Sequence, residues 1–145
     1  MVDTYVDVVD GEKILVQLGD GGSPETFAHD CMINAERGFT RTASTITKSV
    51  PNCTDPSKPD KTTRVPDSTD STIAGQGKVH SASVLAWLGR VGKITNVRVR
   101  QAGVWRVAGP YIVTSFAVTG TARNHATASI AMEQADEPTY TADTV

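Results

Sequence analysis

The residues from which a zinc site could be built are three histidines and two cysteines: His29, Cys31, Cys53, His80 and His125. His29 and Cys31 are two positions apart, so they share one face of an extended strand. The chain has no Cys-x-x-Cys or His-x-x-x-His pair, which are spacings typical of zinc ligands. We therefore predict no metal site and expect a strand His and Cys there.

A glycine-containing run, Ala74-Gly75-Gln76-Gly77-Lys78, partly matches a phosphate-binding loop. Thr72 occupies the position of the first glycine of such a loop, and Val79 replaces the Ser or Thr that binds the metal. Two glycines at the end of a strand explain the run better. The chain also lacks a Gly-x-Ser-x-Gly nucleophile elbow. We predict that the protein is not an enzyme and binds no cofactor.

A basic face is the remaining candidate for chemistry. Arg98 and Arg100 share one face of a predicted strand from Ile94 to Gln101, and Trp105 and Arg123 follow in the sequence. A basic sheet face with aromatic side chains is typical of proteins that bind single-stranded nucleic acid. Only one aromatic residue is interleaved here, so a solvated or subunit-contacting face is the alternative.

Charge is segregated along the chain although the net charge is only −2. The first 39 residues carry eight acidic and two basic side chains, and residues 73–132 carry seven basic and no acidic ones. The residues from 133 onward carry four acidic side chains and no basic one. This asymmetry favours a basic ligand face or self-association between acidic and basic parts of different copies. The alternative is that the segments neutralise each other within one fold.

The length of 145 residues predicts a single domain spanning residues 1–145. No apolar run approaches the roughly 18–20 residues of a membrane span, so we expect no membrane association. The amino terminus is acidic and lacks the apolar core of a signal peptide, which favours the cytosol as the compartment of synthesis. Because thiols stay reduced there, we expect Cys31 to be a buried small residue and Cys53 a loop thiol.

Period-two alternation predicts mainly β structure. The clearest case is an antiparallel hairpin from Gly109 to Gln134. Its predicted buried face consists of Ile112, Phe116, Val118, Ala126, Ala128, Ile130 and Met132. A second hairpin is predicted from Lys13–Leu18 and about Thr26–Ile33, with strong turn residues between them.

One helix is predicted after a glycine-ended strand at 71–77. Ser81 or Ser83 could cap it, and Gly89 or Gly92 could end it. Its predicted buried stripe is Val84, Leu85, Leu88 and Val91, with Trp87 at the edge. Residues 135–145 are predicted to form an exposed tail. The fold expected from these elements is an antiparallel β-sandwich or partial barrel with one flanking α-helix and a long extended loop.

The long loop occupies about residues 38–72. Its part from Thr40 to Thr72 holds nine threonines, five serines and four of the seven prolines. Few large aliphatic side chains accompany them, so the segment cannot bury enough apolar area to offset its ordering entropy. We predict that it is either mobile or ordered by another chain, and that deletion of about Pro51 to Lys61 spares the fold of the monomer.

Taken in order, several short motifs make the chain resemble the tail tube (major tail) proteins of long-tailed, siphovirus-like bacteriophages. The motifs are Cys31-Met-Ile-Asn, Arg37-Gly-Phe-Thr, Val50-Pro-Asn-Cys-Thr-Asp-Pro, Leu85-Ala-Trp, Thr95-Asn-Val-Arg-Val, Gly109-Pro-Tyr-Ile-Val-Thr-Ser-Phe-Ala-Val-Thr-Gly and Ala126-Thr-Ala-Ser-Ile-Ala-Met. The resemblance covers most of the chain.

The resemblance implies a β-sandwich with a flanking helix, six copies per ring, and rings stacked into a tube through which DNA passes without specific binding. It implies that the long loop reaches a neighbouring subunit or ring. The candidate contact residues there are Phe39, Arg41, Ile46, Val50, Pro51, Asp55, Pro56, Lys58, Lys61 and Arg64. A lumen or subunit-contact face is expected at Arg98, Arg100 and Arg123, although lumens in this family are usually acidic.

The partners implied are other copies of the chain and tape-measure, tail terminator and baseplate proteins. The location implied is the virion tail, with assembly in the host bacterial cytoplasm. Two alternatives stay open: another phage structural module (tail terminator, head–tail connector or decoration protein) and a sheet-based nucleic-acid-binding domain.

Overall fold

A computed structural model of the protein describes residues 3–6, 8–20, 27–29, 33–101 and 104–141. The chain divides into two compact units. We call Met1–Thr40 with Ser71–Val145 the body, and Arg41–Asp70 the arm. In chain order the elements are β1 (Ile14–Gly19), β2 (Phe27–His29), β3 (Arg37–Val50), β4 (Lys61–Lys78), α1 (Val84–Arg90), β5 (Ile94–Gln101), β6 (Val104–Thr119), β7 (Thr127–Gln134) and β8 (Thr139–Tyr140).

The strands form one sheet in the order β2-β1-β5-β6-β7-β4-β3, and β8 pairs with β6. Antiparallel pairing joins β1 to β2, β1 to β5, β4 to β7, β5 to β6, β6 to β7 and β6 to β8. Within the described residues the sheet does not close on itself, so β2 and β3 are its two edges. The prediction of a mainly β, antiparallel sandwich or partial barrel with one helix is confirmed. The hairpin of β1 and β2 is also confirmed, with Leu18 opposite Ala28.

Strand alternation builds the core of the body. On β5, Val97 and Val99 are fully buried, whereas Arg98 and Arg100 on the other face are half-buried. Val16 and Leu18 on β1 repeat the pattern. The remaining buried apolar residues are Ile33, Ile73, Trp87, Val107, Tyr111, Val113, Ala128, Ile130 and Met132. The Tyr111 hydroxyl lies 2.8 Å from the Ser71 hydroxyl, so this buried phenol has a hydrogen-bond partner.

The hairpin of β6 and β7 is present, but its first strand changes face midway. Val113 pairs with Met132 and Ser115 pairs with Ala131, which leaves Thr114 as an extra residue in a bulge. Before the bulge, Tyr111 and Val113 point into the core, so the prediction of Ile112 as a core residue is wrong. After it, Phe116 packs on the core, as predicted.

Beyond Phe116 the buried face of the hairpin ends. Val118 is 48% exposed, so the prediction that it is a core residue is also wrong. Val118 pairs with the buried Ala128 of β7, but it lies two residues beyond Phe116, the last residue of β6 that packs on the core. On β7 the prediction is accurate, since Ala128, Ile130 and Met132 are buried. Ala126, which directly precedes β7, is half-buried.

The sequence predicts the core-facing residues of the helix only in part. Trp87 is the only buried residue of α1, and its ring stacks on Phe116 with the centroids 6.2 Å apart. Val84, the first residue of the predicted stripe, packs on the core as predicted. Leu85, Leu88 and Val91 are 81%, 56% and 42% exposed, so the prediction is wrong for the rest of the stripe. A helix of seven residues has two turns, and one large indole suffices to anchor it. Gly92, at φ +82°, follows the helix in the left-handed region that glycine tolerates.

The carboxy-terminal segment is not a free tail in its described part. Thr139 and Tyr140 pair with Ala108 and Val107 of β6, and Pro138 is buried. Pro138 packs so closely on Gly109 that a Cβ at position 109 would lie 2.8 Å from the proline Cα. The expectation of an exposed segment from residue 135 is therefore wrong at the buried Pro138, whereas Thr139 and Tyr140 are exposed although they pair with β6. Residues 142–145 lie outside the described part.

Candidate subunit-contact surfaces

The arm is a two-stranded hairpin with no buried residue. It is made of the second half of β3, a connection at 51–60, and the first part of β4. Its large aliphatic residues face solvent in the single chain: Ile46 is 47% exposed, Val50 49% and Val65 43%. An isolated two-stranded hairpin is at best marginally stable in water because neither face is covered. The arm thus has the composition and exposure of a segment that another chain covers.

Polar contacts hold the arm together. The hydroxyls of Ser44 and Ser68 lie 2.7 Å apart across the two strands. In the connection, the Asn52 side-chain oxygen accepts hydrogen bonds from the amides of Thr54 and Asp55 at 2.9 and 3.1 Å. The Asp55 carboxylate accepts one from the Ser57 hydroxyl at 2.6 Å. These are local turn contacts, which shape the hairpin without a core.

The same contacts change the ionisation of Asp55. The hydrogen bond from the Ser57 hydroxyl, and after it the one from the Ser57 amide, lower the pKa of this carboxyl from its ordinary value of 3.8. Hydrogen bonds to the ionised form favour that form, which is the direction seen here. The tip of the arm therefore keeps this negative charge in mildly acidic solution.

The predicted contact residues of the long loop lie mostly in the arm. Phe39 is the exception, since it belongs to the body part of β3 and is 36% exposed. Those in the arm are Arg41, Ile46, Val50, Pro51, Asp55, Pro56, Lys58, Lys61 and Arg64, and all are exposed except the half-buried Asp55. Their role in contacts between copies stays a prediction.

The basic face of β5 is an arginine–aromatic stack. The Arg98 guanidinium lies 4.0 Å from the ring centroid of Phe27 on one side and 3.8 Å from that of Trp105 on the other. Its Nη2 donates to the Gln17 side chain at 3.4 Å. Arg100 also lies over Trp105, at 5.3 Å. Cation–π contacts of this kind hold a positive charge in place on a sheet face.

This geometry limits what the basic face can do. Trp105 already has the guanidiniums of two arginines within cation–π range, so it is less available for stacking on a nucleic-acid base. Arg123 does not join the stack: it lies in the exposed turn between β6 and β7, at φ 69°, whereas Arg98 pairs with Ala108 in the first half of β6. The structure thus brings Arg98 and Arg100 together and leaves Arg123 apart.

The residues considered for zinc are not gathered in the described part of the chain. No group of three or more metal-ligating side chains occurs among the described residues. The His29 Nδ1 lies 3.4 Å from the carbonyl oxygen of Val16, and Cys53 is an exposed free thiol in the arm. Cys31 lies outside the described residues. Among those same residues, no helix has the length and apolar character needed to span a bilayer.

Four large aliphatic side chains in and after α1 are exposed, which the sequence does not predict. Leu85, Leu88, Val91 and Ile94 are 81%, 56%, 42% and 66% exposed. Sequence periodicity placed the first three of them in the core, because an apolar stripe has the same pattern whichever partner covers it. We call these four residues the helix patch.

Comparison with solved structures assigns the fold. The chain matches a chain described as "Virion of native gene transfer agent (GTA) particle" with a TM-score of 0.66 and 19% identity, covering 93% of this chain and 100% of that chain. It also matches one described as "Tail of empty GTA particle computed with helical refinement, C6 symmetry" with a TM-score of 0.65, 19% identity and the same coverages. No family model matches the sequence. No curated protein matches it either.

The chain thus shares its fold with a chain of a gene transfer agent virion and with a chain of a gene transfer agent tail. Its likeness to tail tube proteins of long-tailed bacteriophages, drawn above from the sequence, is borne out in the fold.

Proposed function

We propose that this chain is the subunit of a tail tube, six copies of which form a ring while rings stack into a conduit for DNA. The observation that carries the proposal is the structural match, over 93% of this chain, to a chain from a tail particle of C6 symmetry. The exposure of the arm also supports the proposed self-assembly, because a two-stranded hairpin without a buried residue needs a partner to gain stability.

The open sheet supports the same proposal. In the described part of the chain the sheet ends at β2 and β3, and unpaired strand edges invite pairing with another chain. Closure of a ring of identical subunits removes such edges in an ordered way. In this proposal the arm reaches a neighbouring subunit or ring, and tape-measure, tail terminator and baseplate proteins contact the finished tube in the virion. Assembly takes place in the cytoplasm of the host bacterium.

Charge segregation gives the rings a means of association. The acidic first 39 residues and the basic 73–132 segment of different copies can face each other. The role of the β5 face in the tube is part of the proposal: the arginine–aromatic stack lies either at a subunit contact or on the lumen wall. In both cases DNA passes without specific binding.

Electron microscopy of the concentrated purified protein tests this function. We expect six-fold rings and stacked tubes, with an assembly threshold in protein concentration. Rings that never stack would instead favour a terminator, connector or decoration protein. A protein that is monomeric at every concentration, also when supplied with preformed tail ends as initiators, would contradict the proposal.

A further inference from the structure

The helix patch brings four exposed large aliphatic residues into a short stretch of the chain. Its members follow one another at intervals of three residues, on α1 and on the connection into β5. Residues three apart on a helix are neighbours, so Leu85 and Leu88 share one side of α1. Clustered exposed apolar side chains favour an interaction site.

The surroundings of the helix patch are basic. Arg90 and Lys93 lie within it in sequence, and the Arg90 guanidinium sits 4.8 Å over the ring centroid of the buried Trp87. No acidic residue occurs anywhere from position 73 to position 132. A fitting partner therefore offers apolar side chains among acidic ones.

The amino-terminal segment of the chain itself has those properties. Tyr5, Val6 and Val8 are 83%, 85% and 75% exposed, and the described residues before the turn at Gly11–Lys13 belong to no strand or helix. The sequence places four acidic residues and no basic one in positions 3–12. The amino-terminal segment thus combines exposed apolar side chains with negative charge, whereas the surroundings of the helix patch are positively charged.

Other exposed segments fit less well. The arm also has exposed aliphatic residues, but its 41–70 sequence carries five basic and four acidic side chains and so offers no charge complementarity. The acidic carboxy-terminal segment is already paired with β6 at Thr139 and Tyr140. Complementarity of both apolar surface and charge singles out the amino-terminal segment.

We propose that residues 3–9 of one copy dock on the helix patch of a neighbouring copy. The contact rests on the self-assembly proposed above and gives it a specific interface. Each copy supplies one segment and one patch, so the contact is heterologous, and repetition of it leads to a closed ring or to a continuing stack. Opposite charges around the apolar contact set its orientation.

Disulfide trapping between two different variants tests the contact directly. Both variants carry Cys53→Ser; one adds Val6→Cys and the other adds Leu88→Cys. Cys31 stays in every protein, so the Cys53→Ser parent is its control. Mixed under assembly conditions and mildly oxidised, the pair should form a disulfide-linked heterodimer. Because a docked segment holds the thiols at high effective concentration, linkage should be at least about tenfold faster than with a matched exposed cysteine, Thr119→Cys.

A mutant cycle provides the second readout. Deletion of residues 3–9, and separately the double change Leu85→Ser/Leu88→Ser, should each raise the critical concentration of assembly by about tenfold. The combination should raise it no further, because both changes remove the same contact. Circular dichroism checks that the body stays folded, which we expect because both leucines are exposed.

The outcomes separate this inference from the proposed function. Tubes that form without the heterodimer, additive effects in the cycle, or linkage only within one chain of a Val6→Cys/Leu88→Cys protein would overturn the contact and leave the tube standing. A heterodimer without tubes would support the contact and contradict the tube. A protein that neither assembles nor cross-links would overturn both.

Discussion

Replacement of the three exposed aliphatic residues of the arm should separate assembly from folding. In the single chain Ile46, Val50 and Val65 are 43–49% exposed, so each keeps about half of its surface in water. Full burial of such a side chain contributes about 1.5–3 kcal/mol, and burial of the exposed half therefore about 1 kcal/mol. Changing all three to serine should weaken assembly by about 3 kcal/mol, which is roughly a hundredfold rise in critical concentration.

The monomer should tolerate the same change. No arm residue is buried, so we expect the free energy of unfolding of the body to stay within about 1 kcal/mol of the parent. Sedimentation of a dilution series measures the critical concentration, and urea denaturation of the monomer measures stability. A matched control changes Thr42, Thr45 and Thr69 of the arm to serine, which should alter neither value by much.

Assembly of the triple serine variant at the parental concentration would show that these side chains are not covered by another copy. Unfolding of the variant at a much lower urea concentration would show instead that the arm side chains stabilise their own chain. Only a large rise in critical concentration with an unchanged urea midpoint fits a segment that another copy covers.

Three further predictions follow from the body and the arm tip. Trp87→Ala should destabilise the monomer by about 3–5 kcal/mol, because it leaves a cavity in the core under α1. Leu88→Ala should cost less than about 1 kcal/mol, because Leu88 is exposed. Chemical denaturation compares the two variants, and equal losses of stability would mean that α1 presents a different face to the core. Gly109→Ala should lower the melting temperature, because the added methyl group would lie 2.8 Å from the Cα of Pro138. An unchanged melting curve would show that the carboxy-terminal segment shifts freely. The Asp55 carboxyl should titrate below 3.8 by NMR and move upward in Ser57→Ala. Because its folded pKa is depressed, its stabilising effect on the turn is present above the unfolded pKa and is lost as the pH falls through the folded one. A midpoint at or above 3.8 in the parent would contradict the hydrogen bonds at the arm tip.

Strand pattern could be predicted from the sequence because alternation is a local property. Val97 and Val99 point inward and Arg98 outward, as their order requires. The bulge at Thr114 could not be predicted, since it depends on how β6 pairs with β7 and not on either strand alone. One inserted residue exchanges the two faces of the strand on either side of it. Ile112 and Phe116 therefore point to opposite faces, although unbroken alternation predicts one face for both.

The apolar residues of α1 illustrate a second limit. Sequence periodicity identifies a face that avoids water, but it does not say whether the same chain or another copy covers that face. Trp87 meets its own core, whereas Leu85 and Leu88 remain exposed. Under the proposed function, this ambiguity concerns the residues that would contact another copy.

The arginine–aromatic stack shows the same limit for the basic face. Sequence order placed Arg98 and Arg100 on one face, and the structure agrees. Only the pairing of β1 with β2 and of β5 with β6 brings Phe27 and Trp105 to the two sides of Arg98. Arg123 is near in sequence order to β6 but belongs to a turn, so its charge acts elsewhere.

Amide hydrogen exchange of the arm, measured in the monomer and in assembled particles, tests most directly whether another copy covers the arm. We expect fast exchange across residues 41–70 in the monomer, because the hydrogen bonds of an uncovered hairpin open easily, and strong protection of the same residues in the assembly. Equal exchange in the two states, or an arm already protected in the monomer, would contradict it.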